Sequence, residues 1–512
     1  MSNMYKTETC DYAEPKPSSS HVERKDDLEK TGTIDTIAQT VVSDNIQRYI
    51  RRQFDKKLLP IVCFLYVLSY LDRGNIGNAK AAGADKALHL NSSQVRYLRI
   101  KNSSYKLIDP FSGLKSSTLS IFATSCSNGP ISSGKSSRPT STSHWGTAAM
   151  CSGLVHNMAG LIACRSLLGI FEAGFGAGAP YFLSLFYQRK ELGLRISVLL
   201  GMAPLANCFA AALAYGITHI QTSWGAWRYL FIIEGLPTIL FAPIVYFFLA
   251  DSPGTAKFLD TPTQTTAIER LATRDTTAKS KVNWKQFFAG IADYQNYIHT
   301  IIHFCCNYSF AGLSNFLPTI VADMGYTSIN AQGLTAPPYF AAFLLCVVVA
   351  FVSDRYGHRG FIVAASSAVG MTGYLILTLV KDMEKTGPRY LGIWLACCGI
   401  FPALSINITW LLNNQGGDSK RGAGLAILAI FGQCSSFVSS TVFPKTDAPF
   451  YTLGCSLGAG FTGLIVILAL GLHFMLEREN KRRDALHGPI DSEEQIDVSN
   501  LGDAHPKFRY LT

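Results

Sequence analysis

Residues 70–80 read YLDRGNIGNAK, directly after an apolar run that starts at Leu58. From Leu58 to Leu71 is about 14 residues, short of the roughly 20 that a bilayer-crossing helix needs; continuing through GNIGNA reaches that length. Asp72 and Arg73 then lie inside the helix, toward its outer end. A charge at a helix centre costs about 2.5–3.5 kcal/mol on insertion scales. Such groups usually face the bundle interior and pair. Asp72, Asn75, Ile76 and Ala79 share one helical face, and Gly74 and Gly77 allow close helix approach. Three readings stay open. Asp72 is a proton-titrating carboxylate with Arg73 as its partner or as a contact for an anion; or the two snorkel to the outer headgroups; or they pair helices structurally.

The rest of the chain supports a membrane reading. Of 512 residues, 48% are hydrophobic and 16% charged, against about 25% charged in a soluble domain. The apolar residues come in long blocks separated by short polar loops. The net charge is +10, but no basic stripe with interleaved aromatics is present, so nucleic acid is not an expected partner. The basic residues sit in the tails and alternate loops, as membrane topology requires. The 13 cysteines form neither metal-ligand spacing nor a disulfide framework and read as small buried hydrophobes. No metal or cofactor is implied. The absence of HExxH, GxSxG and Walker-type motifs argues against an enzyme. Residues 1–50 lack the apolar core of a signal peptide, so the first span acts as its own insertion signal.

Apolar blocks fall at roughly 58–80, 146–163, 164–186, 196–217 and 228–249, then at 297–320, 335–352, 360–380, 389–411, 422–443 and 452–476. The expected organisation is a disordered cytosolic tail (1–55), an N-terminal transmembrane half (56–250), a cytosolic linker (251–296), a C-terminal transmembrane half (297–476) and an unstructured cytosolic tail (477–512). Basic loop residues (Arg189, Lys190, Arg195; Arg355, Arg359; Lys420, Arg421; Arg478, Lys481, Arg482, Arg483) place both termini in the cytosol. Two cytosolic termini need an even number of spans, yet five blocks precede the linker and six come after it. A span is missing between about 80 and 146.

That gap contains SSTLSIFATSCSNGPISSGKSSRPTSTSHWG. A flexible loop is the plain reading. The genetic code offers another. Most serine codons are TCN, and slipping the frame back one base gives NTC, which encodes Phe, Leu, Ile or Val. Read that way, Ala123–Ser127 and the next codons permit Tyr-Ile-Leu-Phe-Glu-Trp, the end of a membrane span. Residues 95–143 are therefore expected to be intronic or out-of-frame coding, with the true frame resuming near His144-Trp145-Gly146.

YLDRGNIGNAK resembles the first-span fingerprint of the fungal anion:cation symporters of the major facilitator superfamily, the group of allantoate and nicotinate permeases. CRSLLGIFEAG (164–174), WRYLFIIEGLPT (227–238), FLPTIV (316–321), GYTSINAQGLTAPPY (325–339), VSDRYGHRG (352–360), WLLNNQGGDSKRG (410–422) and DAPFYTLG (447–454) match in order. The resemblance covers about residues 55–94 and 145–480. It implies an all-α fold of twelve helices in two six-helix halves, about eleven here because the second span is corrupted. It also implies a midplane substrate site and proton-coupled uptake of a small carboxylate, vitamin- or allantoate-like, by a plasma-membrane permease.

Other polar residues within spans are candidates for proton or substrate contact. Arg165 and Glu172, seven apart, project to one side of their helix. Arginine suits a carboxylate substrate through its planar fork, and bonds to helices 1 and 5 are the equal alternative. Arg228 and Glu234 are expected as a structural ion pair. Tyr339, fixed by the preceding Pro-Pro, and Asn407 with Trp410, at i and i+3, suit a planar heterocyclic acid, and each could equally be an interhelical hydrogen bond. Asp354, Arg355 and Arg359 match the superfamily's gating loop, which implies salt bridges that govern cavity opening. Lys420 and Arg421 are expected to serve orientation alone. Asn91 and Asn102 occur in glycosylation sequons.

The leading expectation is a monomeric secondary transporter working by alternating access, with lipid, a small organic anion and protons as partners. The alternatives are a metabolite or drug exporter by proton antiport, a transport-like sensor, and a non-functional product of a mis-spliced or frameshifted gene.

Overall fold

The computed structural model describes residues 45–81, 87, 134–219, 224–250, 252–272, 284–382, 385–443, 445–488 and 502–512. Asn91, Asn102 and most of the serine-rich stretch lie outside them. The chain divides into Met1–Gln53, in which residues 45–53 are helical, and Phe54–Thr512, which holds the helical bundle.

The N-terminal half of the bundle contains α1 (Leu59–Ala81), α2 (Gly134–Cys151), α3 (Met158–Ser184), α4 (Arg189–Thr218) and α5 (Ala226–Phe248). Two short helices come next, α6 (Thr261–Ala272) and α7 (Trp284–Ala292). The C-terminal half contains α8 (Tyr294–Ala322), α9 (Ser328–Tyr356), α10 (Arg359–Leu379), α11 (Thr386–Asn414), α12 (Asp418–Thr441) and α13 (Thr452–His487). Among the described residues, seven helices are long and apolar enough to cross a membrane: Glu191–Ile217, Ala226–Phe248, Asn330–Tyr356, Arg359–Leu379, Thr386–Asn414, Ser419–Ser439 and Thr452–His487. The apolar blocks lead one to expect about eleven. In α1, Asp72, Arg73 and Lys80 interrupt the apolar run, and α8 carries Gln295, Asn296, His299, Thr300, His303 and Asn307, all buried.

Caps set several boundaries. Asn157 accepts the Gly160 N–H (2.8 Å) and starts α3. This moves the break between the second and third blocks from about 163 back to 152–157, because a capping side chain rather than the end of an apolar run fixes a helix start. Asp293 caps α8 through Gln295 N (2.9 Å). Gly357 ends α9 at φ 75°, a conformation that disfavours residues with a Cβ. Pro337 and Pro338 lie inside α9 rather than at its start. Pro338 has no N–H to offer the Leu334 carbonyl, and the Tyr390 hydroxyl donates to that carbonyl instead (2.9 Å).

Packing within each half relies on close backbone approach. A Cβ on Gly235 of α5 would stand 2.7 Å from Met150 N of α2. A Cβ on Gly399 of α11 would run into the Gly370 backbone of α10. Between the halves, α4 lies antiparallel to α9: Gly193 faces Asp354, Gly201 faces Cys346 and Tyr215 faces Gly333. Nearly matched steps in opposite directions along the two helices define a seam running along most of their length.

The region after Glu477 corrects the expectation of an unstructured tail. α13 continues to His487, supported by the i,i+4 pairs Glu477–Lys481 (2.8 Å) and Glu479–Arg483 (2.9 Å). Residues 502–512 return to the helical body, with Phe508 and Tyr510 in the C-terminal-half core beside Trp410, Leu472 and Leu476.

Candidate functional site

Asp72 is enclosed by protein at 1% exposure, so it does not reach outward to headgroups. Its Oδ2 accepts the indole N–H of Trp145 (2.8 Å). Arg165 of α3, 3% exposed, donates to the Asp72 backbone carbonyl (2.7 Å) and stacks over Phe231, 4.9 Å from the ring centre. Glu234 of α5, 1% exposed, lies within Coulombic reach of Asp72 and Arg165. Neither of its carboxylate oxygens has a hydrogen-bond partner among the described residues. Four helices thus bring two carboxylates, a guanidinium and an indole into one buried cluster. Ionisable groups enclosed in this way are retained where charge, proton or substrate has to be handled.

The expected Arg228–Glu234 ion pair does not form. Six residues on a helix are about 120° apart in azimuth, so the two side chains diverge. Arg228 bonds His156 Nδ1 (3.3 Å) and packs over the rings of Trp224 and Trp227, while Glu234 turns inward. The side chains of Arg73, Asn75 and Glu172 fall outside the described set. Trp145 escapes a reading of the sequence because it stands at the edge of the serine-rich run; an indole followed by the small residues Gly146, Thr147, Ala148 and Ala149 is the available signal.

Across the seam runs a chain of aromatic contacts. Tyr70 of α1 meets Phe310 of α8 (centroids 5.9 Å), Phe310 meets Phe401 of α11 (5.4 Å), and Phe401 meets Tyr339 of α9 (5.9 Å). Asn207 of α4 donates to Ser314 Oγ of α8 (3.1 Å), a second link between the halves. Tyr339 spends its hydroxyl on the Leu313 carbonyl (3.0 Å). Asn407 and Trp410 do share a face, and that face lies inside the C-terminal half. Asn407 Oδ1 meets His299 Nδ1 (2.8 Å), and Asn407 Nδ2 donates to the His299 carbonyl (3.1 Å). Trp410 packs edge-on against His299 (4.9 Å) and donates to Leu511 O (2.7 Å). The structure brings Asp72 together with Arg165 and Glu234, and Asn407 with Trp410, in separate halves.

At the end of the bundle carrying the Asp354 loop, Arg359 NH2 pairs with Asp354 (2.8 Å). With its amide oxygen turned to the guanidinium, Asn413 also accepts from Arg359 (2.8 and 3.1 Å). Gly193 of α4 faces this pair, and a Cβ there would stand 2.7 Å from Asp354 Oδ1. Ser197 of α4 and Thr409 of α11 add a hydroxyl contact (3.3 Å). Arg195 forms a two-pronged pair with Asp55 (2.6 and 2.8 Å). Arg355 is exposed. Lys420 does more than orient the chain: it is largely buried between Asp293 (2.6 Å) and Asp503 (2.7 Å), and Arg421 donates to the Gln415 carbonyl (3.0 Å).

The sequence profile described as Major Facilitator Superfamily matches residues 62–440. The MFS-type transporter efuF of Hormonema carpetanum is 30% identical over 462 residues, 90% of this chain and 90% of that protein. The high-affinity nicotinic acid transporter of Saccharomyces cerevisiae is 29% identical over 481 residues, 92% of this chain and 86% of that protein. Among solved structures, the proton:xylose symporter XylE bound to 6-bromo-6-deoxy-D-glucose aligns with TM-score 0.59 at 15% identity, covering 82% of this chain and 95% of that one. This last likeness concerns the fold.

Proposed function

The chain belongs to the Major Facilitator Superfamily, and from that premise we propose that it carries a small planar organic anion together with protons across the plasma membrane, with both termini cytosolic. It is a multi-pass membrane protein and a secondary transporter working by alternating access, not an enzyme. The observation that carries the coupling reading is the buried cluster of Asp72, Arg165 and Glu234. One guanidinium stands against two carboxylates there. A proton on one carboxylate balances the cluster before the substrate arrives. An incoming carboxylate bound near Arg165 changes that balance and makes a further proton favourable. Substrate and proton then move together because each lowers the cost of enclosing the other.

The aromatic chain from Tyr70 to Tyr339 supports a flat substrate, since ring faces and edges offer stacking contacts to a heteroaromatic acid. The name of the yeast relative, a nicotinic acid transporter, is consistent with that class. Uptake of radiolabelled nicotinate by cells expressing the chain, challenged with unlabelled competitors, tests it. Heteroaromatic monocarboxylates should compete and neutral amides of the same rings should not. Equal competition by the amides contradicts an anionic substrate. Label lost from preloaded cells in exchange for external protons favours export.

A second reading concerns the chain itself. The helical stretch Gly134–Ser143 is GKSSRPTSTS, polar where a span should be apolar, whereas Trp145, Gly146 and Met150 fit closely against Asp72 and α5. This change in character at residue 144 supports the reading that 95–143 are out of frame. A transcript that encodes the serine run in frame, with no shorter spliced form, contradicts it.

A further inference from the structure

Residues 502–512 are held at the Arg359 end of the C-terminal half by an unusually full set of bonds. Asn480 of α13 accepts from Tyr510 N (2.9 Å) and donates to Tyr510 O (2.8 Å). Asn414 of α11 does the same to Leu511 (2.9 Å each way). Arg483 donates to the carbonyls of Asp503 (2.8 Å) and Phe508 (3.0 Å). Asp503 pairs with buried Lys420 and accepts from the Tyr510 hydroxyl (3.1 Å). Burial first, and then the Asp503 carboxylate, push the Tyr510 phenol up, so it stays a donor. A Cβ on Gly416 would run into the Asp503 backbone nitrogen, so the approach also depends on a missing side chain.

Two of these contacts reach the gate. Thr512 O accepts from Arg359 N (2.5 Å), satisfying one of the donors that a helix N-terminus leaves unpaired. Asn414 and Trp410, which grip Leu511, are neighbours on α11 of Asn413, which holds the Arg359 guanidinium. Arg359 in turn holds Asp354 against Gly193 of the other half. The segment therefore grips both the backbone and the surroundings of the residue that joins the halves at this end.

We propose that residues 502–512 are a latch on the cytosolic gate: docked, they fix Arg359 on Asp354 against α4 and hold the seam shut; released, they let it open. The inference rests on the transporter reading only for which side opens, and its test needs no substrate. A cysteine is placed at Ser197, which the seam buries, and inside-out membrane vesicles are treated with a membrane-impermeant thiol reagent. The signal is corrected by the chain lacking that cysteine. Three forms are compared: the whole chain, the chain ending at 501, and the whole chain with Phe508→Asp, which puts a charge in the segment's apolar slot. Both altered chains should label several-fold faster than the whole chain. A synthetic peptide of residues 502–512 should restore protection to the truncated chain, and a scrambled peptide should not. If the truncated chain does not accumulate, Phe508→Asp carries the comparison. Labelling equal to the whole chain in the altered chain that accumulates overturns the latch and leaves the segment as a staple of the C-terminal half.

Discussion

Asp72 is held inside the bundle by contacts that can be removed one at a time. Trp145→Phe preserves the ring but deletes the N–H that Asp72 accepts. A hydrogen bond to a charged group contributes about 1.5–3 kcal/mol, so initial uptake rates should fall at least tenfold while membrane abundance holds. Unchanged uptake would mean that Asp72 is not in the transport cycle. Tyr339→Phe tests the opposite expectation. Its hydroxyl is committed to the Leu313 carbonyl, so the change should cost about 0.5–1.5 kcal/mol of stability and leave KM alone; a raised KM would put the hydroxyl on the substrate. Lys420→Gln strands Asp293 and Asp503 in a buried site. Breaking such a pair costs about 3–5 kcal/mol, to be read as a lowered Tm of the purified protein. Sequence alone locates Asp72 and Arg165, because a charge in an apolar run is conspicuous. It pairs Glu234 with the wrong arginine, because spacing along one helix says nothing about which neighbour a side chain meets. It leaves Trp410 open between a substrate contact and an interhelical bond, because a buried indole signals an interior position without saying which interior; the structure gives its N–H to the Leu511 carbonyl.

Helices show the same division between what is periodic and what is contextual. The C-terminal blocks coincide with α8–α13, whose apolar runs are bounded by glycine, proline and charge. The N-terminal half is less legible: the serine-rich run removes the apolar signal for α2, and Asn157 moves the start of α3. The extension of α13 past Glu477 escapes an apolar pattern because i,i+4 charge pairs, not apolar residues, support it. At the seam, α4 and α9 touch where glycines allow it. Gly193→Val would push a branched side chain into the Asp354–Arg359 pair. This should raise labelling of a cysteine at Ser197 in the inside-out vesicles and slow transport, with no change in competitor preference. A variant that transports normally would show that the pair does not gate.

For the molecule as a whole, the two halves meet along α4 and α9 and through the Tyr70–Phe310 contact, and the charged cluster lies within the N-terminal half. We propose that this cluster couples an anion to protons. The direct measurement is proton movement itself: purified chain in proteoliposomes loaded with a pH-sensitive dye, substrate anion added outside at equal pH. The account predicts internal acidification on adding the anion, abolished by Glu234→Gln although the variant still binds the anion. Anion entry with no acidification, or the same acidification in Glu234→Gln, would contradict it.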